Sequence, residues 1–264
     1  MLFNFKLQPV EEIRPWGHPP GLSLSWFGLT YGSYRLEVGN EKLFSYSEQM
    51  SAIWTAESPG FCGDYVDYQV VRLWEDILEI LPNVLEPIPL ELAQLFSTHN
   101  LQVSALNQRV EKSLRSGHIN QDIAKAAVCW IQDRTLDTGY LINGPSIWLW
   151  SDQDSVTITW DNRNSLINGV EVWSAKHGSY SMPRSVFLKE VELFNDDFIA
   201  QMSQRVDDIC AGWNRPHIRI DIENLRKQQL ERPRELEHKL HFPANPIDSK
   251  KILTAIEIVM QANP

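Results

Sequence analysis

The chain carries one run of elements twice, and that repetition limits its fold more than any other feature. Trp26, Tyr34, Leu36 and Val38 recur 122 positions on as Trp148, Val156, Ile158 and Trp160. Trp54-Thr55-Ala56 recurs 119 positions on as Trp173-Ser174-Ala175, and Val71, Leu73, Trp74 and Asp76 recur after 120 as Val191, Leu193, Phe194 and Asp196. Each segment reads as strand, turn, strand, turn, strand, Trp-[Ser/Thr]-Ala, loop and long helix. A β-meander with one helix buries a single face of each element. Two copies side by side therefore predict an α+β fold: a mostly antiparallel sheet built from two related β-meander-plus-long-helix halves, with a helical insertion between them.

Local patterning places the elements. Leu2 to Leu7 alternates with period two and reads as a strand, as do Leu22–Phe27, Ser33–Val38 and Lys42–Tyr46. Pro59, Gly60 and Gly63 precede a long helix with Asp64 as N-cap and Asp67 in its first turn. Its stripe is Val70, Trp74, Ile77, Leu81 and Val84, and Pro82 is expected near its end. Leu90–Arg115 reads as two short helices broken near Asn100, stopped at Gly117, and Ile119–Arg134 as a third helix. Ser146–Trp150 and Ser155–Trp160 pair as a hairpin around Asp152-Gln153-Asp154, and Val170–Trp173 is a further strand. After Gly178 and Pro183 comes a helix with the stripe Phe187, Val191, Phe194, Phe198, Met202, Val206 and Ile209. A short strand at Ile218–Ile222, a polar helix interrupted at Pro233 and a final helix follow Gly212. The expected organisation is 1–89 and 141–216 as the two halves, 90–140 as a helical connector and 217–264 as C-terminal helices, in one compact unit.

The net charge is −10, and ten acidic residues against Lys42 and Arg72 between Glu41 and Glu91 account for −8 of it. Basic stripes of the kind that bind nucleic acid are absent. No apolar run approaches the roughly 20 residues that span a bilayer. Met1–Val10 has no basic region followed by an apolar one, so the chain is expected in the cytoplasm. Cys62, Cys129 and Cys210 are too far apart for a zinc site or a disulfide framework, and the last two are expected as small buried apolar residues.

No phosphate loop, dinucleotide fingerprint or nucleophile elbow is present. His238 and His241 lie three apart without a carboxylate partner motif and read as solvated, so no metal or cofactor is expected. Asp161-Asn162-Arg163-Asn164 reads as a hairpin turn. Trp148, Trp150 and Trp160 are expected on a common side of their hairpin, where they fill a core or form a small-molecule cleft. The enzyme alternative is a hydrolase or transferase working through Asp64 and Asp67, or through Asp161 and Arg163.

Several runs resemble an uncharacterised bacterial family of similar length. They are Ile13-Arg14-Pro15-Trp16-Gly17, Leu24–Gly32 (LSWFGLTYG), Tyr65–Asp76 (YVDYQVVRLWED), Trp160-Asp161-Asn162-Arg163 and Ala211–Pro216 (AGWNRP). The resemblance covers the chain to about His241 and implies no catalytic residues. In size and acidity the chain also resembles, more loosely, the immunity proteins that neutralise bacterial toxins. The expectation is a protein-binding, immunity-type role toward a basic protein toxin. Its partner-binding residues would be Asp64, Tyr65, Asp67, Tyr68, Glu75, Asp76 and Glu79, and no enzymatic activity is expected.

Overall fold

The structure is a computed structural model describing residues 1–57, 63–99 and 103–261. Pro59, Gly60, Cys62 and the break near Asn100 lie outside the described residues. In chain order the strands and helices begin with β1 (Phe3–Leu7), β2 (Ser23–Leu24), β3 (Tyr31–Val38), β4 (Glu41–Leu43), α1 (Glu48–Glu57), β5 (Val66–Gln69) and α2 (Val70–Leu85). There follow α3 (Leu90–His99), α4 (Val103–Arg115) and α5 (Gln121–Gln132). The second half holds β6 (Ile147–Ser151), β7 (Ser155–Asp161), β8 (Leu166–Ile167), β9 (Val170–Glu171), β10 (His177–Pro183) and α6 (Arg184–Ala211). The C-terminal part holds β11 (Arg219–Ile220), α7 (Ile222–Glu231), α8 (Glu235–His241) and α9 (Ser249–Gln261). The fold is α+β.

Two compact units divide the chain, Met1–Leu78 with Leu188–His241 and Glu79–Phe187 with Phe242–Pro264. In the first unit β3 is the central strand. It pairs antiparallel with β1 along one edge, and with β5 and then β4 along the other. Its residues alternate between half-buried and buried, so Gly32, Tyr34, Leu36 and Val38 face a core. Gly32 sits where β1 crosses closest: a Cβ there would stand 2.2 Å from the Lys6 carbonyl oxygen. The core is aromatic. Phe198 of α6 lies 5.9 Å from Phe5, 5.9 Å from Trp26, 5.7 Å from Trp74 and 6.2 Å from Phe194, centroid to centroid. Phe3 stacks on Phe194 at 5.1 Å. Buried indoles need partners for their N–H groups. Trp74 donates to Asn195 Oδ1 at 3.1 Å and Trp26 to Gln229 Oε1 at 2.9 Å.

In the second unit β7 is central, between β6 and β10, all antiparallel. Trp148 and Trp150 are buried against α3, α4, α5 and α9 with Leu92, Val110, Trp130 and Ile256. Trp130 meets Trp148 edge-on at 5.6 Å.

The repeat is present as topology. In each half an edge strand, a central strand and a return strand run antiparallel, and the return strand passes into a long helix without a loop, at Gln69–Val70 and at Pro183–Arg184. Both predicted helix stripes are buried throughout. Residue by residue the correspondence needs correction. The counterpart of β6 is β1, so Trp148 does not match Trp26, which lies in a turn after β2. Trp54 is in α1, whereas Trp173 follows β9. The strands form separate sheets instead of one, and β2 pairs in parallel with β11. Residues 64–69 do not start a helix: Val66–Gln69 is β5, because its aromatic and β-branched side chains fit a pleated surface beside β3. Pro82 lies inside α2. Trp160 pairs with Ile147, so it projects to the face opposite Trp148 and Trp150, and its ring lies over Gly178. Cys129 is exposed, because α5 turns Ala127, Trp130 and Ile131 inward instead.

Phe198 has no exposed surface. Phe198→Ala is expected to lower stability by about 3–5 kcal/mol, the range for truncating a buried ring. Urea unfolding read by tryptophan fluorescence measures it, and a loss below about 1 kcal/mol would remove Phe198 from the centre of this core.

Candidate functional site

The outward face of the first sheet follows from the strand period. Cross-strand partners share a face. Gln69 lies opposite Tyr31 and Asp67 opposite Ser33. Tyr31, Ser33, Asp67 and Gln69 therefore stand together on the face away from the aromatic core. Tyr46 reaches the same region through an unusual backbone step. Phe44 adopts φ 64°, a conformation costly for a bulky residue. Its ring turns to Tyr34 at 5.2 Å, while the next residues join β5. Tyr46 N–H donates to Asp64 O at 2.8 Å, Ser45 Oγ–H to the same oxygen at 3.1 Å, and Val66 N–H to Phe44 O at 3.0 Å.

Tyr31 Oη–H donates to Asp67 Oδ2 at 3.2 Å. Burial pushes the Asp67 carboxyl above the usual carboxylate range, while the Tyr31 hydroxyl and its own backbone N–H pull it down. Burial, and then the charge of Asp67, push the Tyr31 phenol up to about 12, with Arg14 acting the other way. Tyr46 is raised well above the ordinary phenol range by burial, Asp67 and Tyr31. Both phenols are thus neutral donors at physiological pH. Among the described residues no cation pairs with Asp67. Gln69 is 5% exposed, and its Oε1 has no hydrogen-bond partner among the described residues. Two acceptors without a cation beside phenol rings make a setting that receives an ammonium or guanidinium group.

Arg14 is near enough to act on the Tyr31 phenol, whereas two other basic residues are engaged elsewhere. Arg35 lies over the Tyr65 ring at 4.7 Å and pairs with Glu37 at 2.8 Å, and Lys42 donates to Tyr65 Oη at 3.3 Å.

The seven residues expected to bind a partner differ in exposure and in pairing. Asp64 is exposed and Tyr65 is half-buried beneath Arg35. Tyr68, opposite Gly32, turns to the other face of the sheet. Glu75 is taken by Arg232 at 2.9 Å, whose guanidinium lies over Trp26 at 4.1 Å. Asp76 is half-buried, and exposed Glu79 belongs to the second unit. Tyr31, Tyr46 and Gln69 were not singled out in the sequence. Reading 66–69 as a strand in register with β3 would have found Tyr31 and Gln69.

The other candidates resolve structurally. Arg163 clamps Asp161 at 2.9 Å and 3.1 Å to close the turn after β7. His238 and His241 are exposed on α8, and among the described residues no His, Cys, Asp and Glu group is placed to hold a metal. No helix of the described residues is long and apolar enough to cross a membrane. Trp148 and Trp150 pack into the hydrophobic core of the second unit. Clefts of about 450 Å³ open instead in the first unit, one lined by Val10, Arg205, Asp208 and Trp213, the other by Trp16, Phe27, Arg219, Asp221 and Asn224.

The sequence model of a family of unknown function, DUF5984, matches residues 2–255, and the chain belongs to that family. No curated protein and no solved structure matches it.

A carboxyl whose folded-state pKa is raised favours the fold fully below its unfolded pKa, and that contribution is lost as pH rises through the folded value. Asp67→Asn keeps an acceptor for Tyr31 but carries no charge. It is expected to raise the thermal midpoint at pH 7 and to give no gain once the pH falls below the ordinary carboxylate range. Melting curves across that window check it, and an equal shift at both ends would contradict the assignment to Asp67 ionisation.

Proposed function

We propose that this DUF5984 protein is a protein-binding module of the immunity type, which blocks a basic toxic protein in the cytoplasm by seating one of its arginine or lysine side chains against Asp67. The observation that carries this reading is a half-buried carboxylate held by a single neutral side-chain donor, with the unpartnered Gln69 acceptor beside it. Taking a carboxylate out of water is costly, and a cation supplied by a partner offsets that cost only when it arrives. Folding has already partly desolvated Asp67, so little of that cost falls on binding.

The charge distribution supports the same partner. The net −8 between Glu41 and Glu91 attracts a basic surface at long range, which raises association rates by about 10–10³-fold in steered complexes. Close contact then selects Asp67, because Glu75 is neutralised by Arg232. The aromatic groups at the site supply rigid contact area of the kind found at binding hot spots.

One observation favours a second reading, a small-molecule module. The cleft beside half-exposed Trp16 has about 450 Å³, within the size range of ligand pockets.

Capture from a native lysate with the full chain, followed by binding kinetics on the recovered partner, tests the first reading. Asp67→Asn is expected to weaken binding by about 30-fold or more, mainly through faster dissociation, as for a truncated close charge pair. Reversing exposed Asp64 and Glu79 is expected to slow association and reduce its salt dependence, leaving dissociation near normal. Unchanged affinity in Asp67→Asn would remove the proposed anchor, and recovery of small molecules alone would favour the second reading.

A further inference from the structure

Arg134 in the second unit presents a separate anomaly. It follows α5 and begins a segment that lies along the free edge of β6. Leu149 N–H donates to Arg134 O at 2.8 Å, Thr135 lies opposite Trp148, and Leu136 N–H donates to Ile147 O at 3.0 Å. Two residues further along that edge, Ser151 O accepts from Ile88 N–H at 2.9 Å. Two backbone segments thus lie along one strand edge.

Arg134 is 1% exposed. Its Nη1 donates to Trp130 O at 3.2 Å, and its guanidinium lies over the Trp130 ring at 5.0 Å. Its Nε and Nη2 have no hydrogen-bond partner among the described residues. The hydroxyl of Ser151, which is fully buried, has none either. The nearest carboxylates do not supply the missing acceptor: Asp133 Oδ2 accepts from Asn245 Nδ2 at 2.9 Å, and Glu86 is exposed. Asp133 and Glu86 act on the guanidinium only through their charge, so two of its donors stay buried and unsatisfied, and a chain that keeps such a group is expected to use it. Burial lowers the Arg134 pKa to about 10, with Asp133 and Glu86 acting the other way, so the group is charged at neutral pH.

The identity of the two nitrogens sets the ligand class. Nε and Nη2 form one side of the guanidinium fork, the side whose parallel N–H bonds match two oxygens of a carboxylate or phosphate. We infer that Arg134 anchors a binding site for a small oxyanion, with Nε and Nη2 holding two of its oxygens. The chemistry is shared by free phosphate and by a carboxylate carried on a small molecule. The site does not depend on the Asp67 reading, since it lies in the other unit and takes the opposite charge.

The test uses the full chain at constant ionic strength, titrated with inorganic phosphate and, separately, with acetate, against chloride as control. Side-chain nitrogen NMR is expected to show the Arg134 Nε–H resonance moving and saturating with one of the two anions, which also tells phosphate from carboxylate. The thermal midpoint is expected to rise with that anion. Arg134→Lys keeps the charge but loses the fork, and is expected to weaken the response about tenfold or more. No saturable movement of the Nε–H resonance with either anion would overturn the proposal, and so would an undiminished rise in midpoint in Arg134→Lys. The resonance measurement needs no variant, so it decides even where Arg134→Lys does not fold.

Discussion

The first unit depends on the ring of Phe198. Four aromatic side chains from β1, from the turn after β2, from α2 and from α6 itself close on it. β1, the turn after β2 and α2 are remote in sequence from α6, so their contacts with Phe198 are non-local. Two hydrogen bonds then lock the indoles: Asn195 from α6 orients Trp74, and Gln229 from α7 orients Trp26. Arg232 lies over Trp26 while it neutralises Glu75. The aromatic contacts supply most of the stabilisation through buried area. The polar contacts select one arrangement, because an indole N–H left without a partner would cost about 1–3 kcal/mol.

With one face of the sheet committed to that core, the opposite face is available for a polar arrangement that burial alone would reject. Asp67, Tyr31 and Gln69 are held by a rigid register, and Tyr46 is delivered by the left-handed step at Phe44. Among them Gln69 Oε1 departs from the rule that buried polar groups are satisfied. Such departures concentrate where a protein trades stability for binding. Arg134 Nε and Nη2 are a second departure, on a group of opposite charge.

What the sequence discloses depends on how much of the signal is local. The stripes of α2 and α6 and the β6–β7 hairpin were legible because side-chain period and burial agree there. Helix α1 carried no such stripe: among its described side chains only Met50 is buried. β10 reads HGSYSMP, small and polar, and is a strand because β7 supplies its partners. β5 reads as a helix start because Asp64 and Asp67 are also good helix-terminus residues, and only pairing with β3 decides between the two. The same gap hid the site. Asp67 was picked out for its charge, but its neighbours Tyr31 and Tyr46 lie 36 and 21 residues before it. Arg134 enters the sequence pattern only as the end of the third helix, since nothing local marks a guanidinium as buried.

The junctions at Gln69–Val70 and Pro183–Arg184 join a strand to a helix with no residue between. A strand repeats its facing every two residues and a helix every 3.6 or so. Without a loop to absorb an error, the two periods are locked in phase. One residue inserted at either joint would turn the helix by about 100° against its strand and carry the stripe out of register with the core. Length variation among relatives is therefore expected to collect in the connections before β5 and between α4 and α5, leaving these two joints invariant in spacing. An alignment of relatives would show them as gap-free columns even where the residue types drift.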